Sequence, residues 1–136
     1  VNVGFINFSK EEIVNVNLID EQHTIIAGIV NKIYDLAEEN KLDEIVINLD
    51  KLVEEIENHF ETEEKYMKEN KFSGYFSHKL EHDRFYRQLL QTAEKFKSDK
   101  TQFDNERLIG IRKWFFNHIE ISDKKCGAYL NSIGIK

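Results

Sequence analysis

The sequence predicts an all-α protein, an antiparallel up-down-up-down four-helix bundle with an extended N-terminal arm. Three observations predict it. Apolar residues recur at alternating steps of three and four in four separate segments, which holds them on one face of a helix. Proline is absent and glycine is sparse, so nothing interrupts long helices. The breaks between segments are short and polar, and short connections make neighbouring helices antiparallel. At 136 residues the chain reads as a single domain, 1–136, long enough to bury a core.

Residues 1–18, "VNVGFINFSKEEIVNVNL", show no helical period and read as an extended arm anchored by side chains such as Phe5 and Phe8. The first stripe is Ile19, His23, Ile26, Val30, Ile33 and Ala37, with Asp20 near its start, where a carboxylate suits the positive end of the helix dipole. The break "EENKLDE" leads to a second stripe of Ile45, Leu49, Leu52, Ile56, His59, Glu63 and Tyr66. After the Gly74-containing loop "KENKFSGYFS" comes a third: His78, His82, Phe85, Leu89, Thr92 and Phe96. The polar stretch "KSDKTQFDN" separates it from the fourth, Leu108, Ile111, Phe115 and His118.

Composition excludes several function classes. Hydrophobic residues make up 40% and charged residues 32%, as in a soluble globular protein, and the formal charge of -6 argues against nucleic acid as a partner. No apolar run approaches the ~18 residues that membrane insertion needs, and no signal-peptide pattern opens the chain. The one cysteine, Cys126, excludes an internal disulfide and fits a reducing cytoplasm. Apolar residues off the stripes, such as Ile25, Ile29 and Val46, are too scattered to define a protein partner.

The five histidines carry the chemistry. All of them, with Glu63, fall on inward stripes, although a seam takes only about two residues in seven. One such histidine reads as a hydrogen-bonded core residue. Five bring polar nitrogens into an apolar core, each costing roughly 1–3 kcal/mol if unpaired, and a buried carboxylate costs more. A bound metal answers the whole set, because imidazole nitrogens and carboxylate oxygens are its ligands. His59 and Glu63, like His78 and His82, lie at i and i+4, about 40° apart around the helix, so both members of each pair reach the bundle axis.

Asp123 breaks the pattern. The stripe after His118 continues at Ser122, whereas Asp123 lies about 140° around an ideal helix from His118. Either the helix ends or kinks near "EISD", or a one-residue π-bulge turns Asp123 inward. Periodicity alone does not choose it over Glu120. A second feature, "HKLEH" at 78–82, matches the H-x-x-E-H pattern of certain zinc peptidases, but Glu81 falls off the stripe and His23, His59 and His118 stay unexplained.

Five histidines and two carboxylates exceed the four ligands of a structural zinc, and calcium and magnesium prefer oxygen. Two transition ions sharing the carboxylates as bridges use all seven, and iron suits the mixed donor set. No Glu-x-x-His pair of the ferritin-like diiron enzymes occurs. Fewer anionic donors are expected to stabilise higher iron oxidation states less, favouring dioxygen binding over substrate oxidation.

With these residues in place, the chain resembles the hemerythrin family in its bacterial form. The match lies in "IDEQH" at 19–23, "HFETEEKYM" at 59–67, "HKLEHDRF" at 78–85 and "WFFNHIEISD" at 114–123, and spans nearly the whole chain. The resemblance implies a four-helix bundle holding two non-haem iron ions, oxo- or hydroxo-bridged, that bind dioxygen reversibly. It implies that His78, His82 and His118 bind one iron and His23 and His59 the other, with Glu63 and Asp123 bridging both. The second iron then has an open position for dioxygen. Ile26, Trp114 and Phe115, one turn from ligands, are expected to line the dioxygen pocket. Two departures from the family are Phe8, where a tryptophan is common, and Phe76, where a proline often follows the tyrosine.

The function expected is storage or delivery of dioxygen by a cytoplasmic, non-enzymatic binding protein. An oxygen-sensing module of a larger signalling protein is the alternative, signalling through the arm or the tail "KKCGAYLNSIGIK". A diiron peroxide or nitric oxide reductase ranks last, because no substrate pocket or electron-partner motif is evident.

Overall fold

The computed structural model describes residues 5–100 and 105–136. The arm residues 1–4 and the linker residues 101–104, to which the sequence assigned an extended stretch and a loop, lie outside them. The described residues form five α-helices: α1 (Asn17–Glu38), α2 (Leu42–Glu69), α3 (Tyr75–Ser98), α4 (Asn105–His118) and α5 (Lys124–Ser132). A π-helical turn over Ile119–Asp123 joins α4 to α5 with helical backbone at both junctions, so these three segments make one rod. The result is the antiparallel four-helix bundle that the stripes predict.

The stripes bury as their spacing dictates. Ile19, Ile26, Val30 and Ile33 of α1 pack with Ile45, Leu49, Leu52 and Ile56 of α2, Phe85, Leu89 and Phe96 of α3, and Leu108, Ile111 and Phe115 of α4 in one core. The period slips in three places: Leu36 and Ala93 are buried where the stripes placed the half-buried Ala37 and Thr92, and α2 slips near its C-terminal end. Met67 is fully buried whereas Tyr66 is only half-buried. A strict seven-residue repeat drifts about 20° per heptad on a straight helix, so four residues beyond Glu63 returns closer to the core than three.

The two tight connections are set by the backbone. Asn40 and Lys71 adopt positive φ values of 56°, and just beyond them Lys41 N–H donates to the Leu36 carbonyl and Phe72 N–H to the Met67 carbonyl. These bonds satisfy carbonyls that the last helical turn leaves without partners.

The arm is more structured than an extended strand. Ser9 and Glu12 form a reciprocal cap around a short 3₁₀ turn, Lys10–Glu12. Phe5 stacks on Tyr34 of α1 with ring centroids 4.5 Å apart, and the Arg112 guanidinium of α4 lies 4.2 Å from its ring. Asp20 does more than favour the helix dipole: its carboxylate accepts hydrogen bonds from the Val14 and Asn15 N–H groups at 2.9 and 3.1 Å. It ties the arm to α1 through backbone that Asn15, at φ 64°, bends sharply.

Candidate metal centre

Each rod delivers its polar residues to one interior. α1 brings His23, α2 His59 and Glu63, α3 His78 and His82, and the fourth rod His118 and Asp123, all buried. The π turn decides the aspartate. One extra residue per turn places Asp123 where an α-helix would place Ser122, and leaves Glu120 exposed.

The carboxylates divide their oxygens between two sets of imidazoles. Glu63 Oε1 lies 2.5 Å from His59 Nε2 and 3.6 Å from His23 Nε2, while its Oε2 lies 2.8 Å from His78 Nε2 and 3.4 Å from His82 Nε2. Asp123 repeats the division: Oδ2 is 3.1 Å from His23 Nε2, and Oδ1 is 3.0 Å from both His78 and His118 Nε2. Two donor groups result. Glu63, His78, His82, His118 and Asp123 form one, and His23, His59, Glu63 and Asp123 the other, with all ligand atoms of each within 4.8 Å of one another.

The Nε2 atoms face the carboxylates, and in three of the five rings a partner holds Nδ1 from behind. His82 Nδ1 donates to Glu64 at 2.9 Å and His118 Nδ1 to Glu81 at 2.8 Å. An ionised carboxylate only accepts, so the proton lies on Nδ1 and the Nε2 lone pair faces the centre. His59 Nδ1 meets the Gln22 amide oxygen at 2.8 Å. That oxygen is oriented by its own amide nitrogen, which donates to Thr62 Oγ1 at 3.0 Å, while Thr62 donates to the Asn58 carbonyl. Sequence reasoning missed these three supports. In the sequence Gln22 is marked only by standing next to His23, and Glu64 and Glu81 lie on partly exposed faces where no periodicity marks them.

The metal-free electrostatics are strained. Burial works to lower His23 and His78, but Asp123 and Glu63 beside them raise His23 to about 9 and His78 to about 10. Burial keeps His59 below its usual value despite Glu63. Burial raises Glu63, yet His59, His23 and His78 pull it well down; for Asp123 burial and Glu63 are likewise outweighed by His118 and His23.

The donor set fits metal ions. Both nitrogens of His23, Oε1 of Glu63 and both oxygens of Asp123 are buried without a hydrogen-bond partner. Such atoms are costly unless a cation takes them. The residues around the centre divide by side. Phe115 is buried with its ring 5.5 Å from that of His23, and Phe8 of the arm lies 5.6 Å from Phe115. Ile26 is buried one turn along α1 from His23. Trp114 is not with them: its indole stacks on His118 at 4.4 Å and on Phe85 at 3.9 Å, against the five-donor group.

The comparisons agree with this geometry. The family model described as Hemerythrin HHE cation binding domain matches residues 14–130. Among curated proteins, the bacteriohemerythrin of Methylococcus capsulatus is 31% identical over 118 residues, covering 87% of this chain and 90% of that one. The myohemerythrin of Theromyzon tessulatum is 33% identical over 107 residues, covering 79% and 78%. A solved wild-type hemerythrin superposes with a TM-score of 0.86 at 30% identity, covering 91% of this chain and 96% of that one. An alanine point mutant of hemerythrin gives 0.88 at 29%, covering 93% and 97%. A cation-binding domain matched along nearly its whole length, folded around two clusters of buried donors, makes this chain a member of the hemerythrin family.

Proposed function

We propose that this protein binds dioxygen reversibly at a non-haem diiron centre, in a storage or delivery role. The observation that carries the reading is the inequality of the two donor groups, five and four, spanned by two carboxylates that give one oxygen to each. In this reading His78, His82 and His118 hold one iron, His23 and His59 hold the other, and Glu63 and Asp123 bridge. An ion held by the four-donor group would have one protein donor fewer, which would leave room for a small ligand there. Membership of the hemerythrin family, whose motifs imply two irons and dioxygen, supports this pair.

Two irons held by these residues would supply reversible electron transfer to dioxygen. The chain's residues do the rest. Gln22 fixes the ring of His59, and Glu64 and Glu81 fix those of His82 and His118. Phe115, Ile26 and Phe8 put apolar surface beside His23, which keeps water from the open side and slows loss of the ligand in a reduced form.

A sensing role is the second reading, favoured by Phe8: its ring lies 6.3 Å from that of His23, so the arm touches the open side directly. Among the described residues no helix is long and apolar enough to cross a membrane. Metal analysis with an optical spectrum of the reduced protein, before and after air and again after evacuation, tests the proposal. Two irons per chain and a charge-transfer band that disappears under vacuum are expected. One ion per chain, or irreversible bleaching, would overturn it.

A further inference from the structure

The two donor groups differ in what stands behind them as well as in size. Behind the five-donor group are two carboxylates. Glu64, on α2, accepts from His82, and Glu81, on α3, accepts from His118. Behind the four-donor group is a neutral amide, Gln22 on His59, and the Nδ1 of His23 has no hydrogen-bond partner at all. An imidazole that donates to a carboxylate is a more basic ligand than one that donates to an amide, because the anion stabilises positive charge on the ring.

Glu81 has a second attachment. The same oxygen that accepts from His118 Nδ1 also accepts from Ser122 Oγ at 2.7 Å. Ser122 lies inside the π turn that presents Asp123. Glu81 therefore holds a ligand ring and the irregular turn at once, which accounts for a glutamate between His78 and His82 that faces neither the bundle axis nor a peptidase zinc. Glu64 is partly offset by Lys79, whose Nζ lies 3.5 Å from its other oxygen, and no cation is seen at a comparable distance from Glu81 among the described residues.

We infer that the two metal positions fill in order, the three-histidine position first and more tightly, and that Glu81 is the positioning residue that sets the order. The inference rests on the dinuclear reading above and adds to it which site is filled first and by what cause. The four-donor position, with fewer donors and weaker backing, is the one from which an ion is lost.

The test is titration of the metal-free protein with cobalt(II), followed by its visible absorption and by calorimetry. Wild type is expected to take two ions in separable steps. Glu81→Gln keeps a hydrogen-bond acceptor but removes the charge, and is expected to weaken the first step by about 10–100-fold while leaving the second nearly unchanged. His59→Ala is expected to keep the tight step and lose the weak one; His118→Ala is expected to lose the tight one. Circular dichroism of the metal-free proteins checks folding, and Glu64→Gln carries the same test from α2 if Glu81→Gln does not fold. Wild-type affinities in Glu81→Gln, or equal weakening of both steps, would overturn the inference. Wild type binding no more than one ion would instead overturn the dinuclear reading.

Discussion

The indole of Trp114 lies flat on the imidazole of His118, ring centroids 4.4 Å apart and planes 11° apart. Trp114 is the chain's one tryptophan, so its fluorescence reports chiefly on the three-histidine side it stacks against. Adding cobalt(II) to the metal-free protein is expected to quench most of the emission with the first equivalent and little with the second. Equal quenching by both equivalents would separate Trp114 from the filling order.

Phe115 lies edge-on to His23, planes 75° apart, and closes the apolar wall with Phe8. Phe115→Ala is expected to hasten autoxidation several-fold by admitting water to the open side, and to lower stability by about 3–5 kcal/mol as a core truncation. The decay of the oxygenated absorption band measures the first effect, and an unchanged decay rate would remove Phe115 from the pocket. Chemical denaturation measures the second.

The metal-free protein is expected to lose stability as pH rises from about 6.5 toward 10. His23 and His78 have folded values of about 9 and about 10 against 6.5 for the ordinary imidazole. Below 6.5 both states are protonated and the contribution is complete. Above it the unfolded chain gives up its protons first, so the native state loses its advantage until its own histidines titrate. Glu63 and Asp123, held low, act oppositely and withdraw their contribution as pH falls through the acid range. Thermal unfolding of the metal-free form across pH 5–10 checks this; a flat profile above 6.5 would contradict the charge balance.

Metal must displace those protons. At pH 7 loading is expected to release protons from His23 and His78, read as a calorimetric heat that depends on the buffer's ionisation enthalpy. Heats identical in phosphate and Tris would show that the imidazoles were already neutral.

Gly127 on α5 packs against the backbone of Val14 in the arm. A Cβ there would meet the Val14 carbonyl oxygen at 2.5 Å, a backbone atom that cannot swing aside. Gly127→Ala is expected to push the arm off, costing about 1–3 kcal/mol and speeding removal of iron by a chelator, because Phe8 rides on the same arm. Wild-type chelation kinetics would show that the arm does not guard the centre.

The periodicity of this chain determined the four rods and the inward direction of His23, His59, Glu63, His78, His82 and His118, because a helical face is a local property that spacing alone defines. Asp123 lay beyond that reach. Its position depends on a π turn held in part by Glu81, which is 41 residues from the Ser122 it binds. The tertiary structure likewise decided which nitrogen of each ring faces inward, that Trp114 lies on His118, and that Asp20 clamps the arm. These are contacts between side chains or backbone brought together by packing, and packing depends on neighbours that no window along the sequence contains.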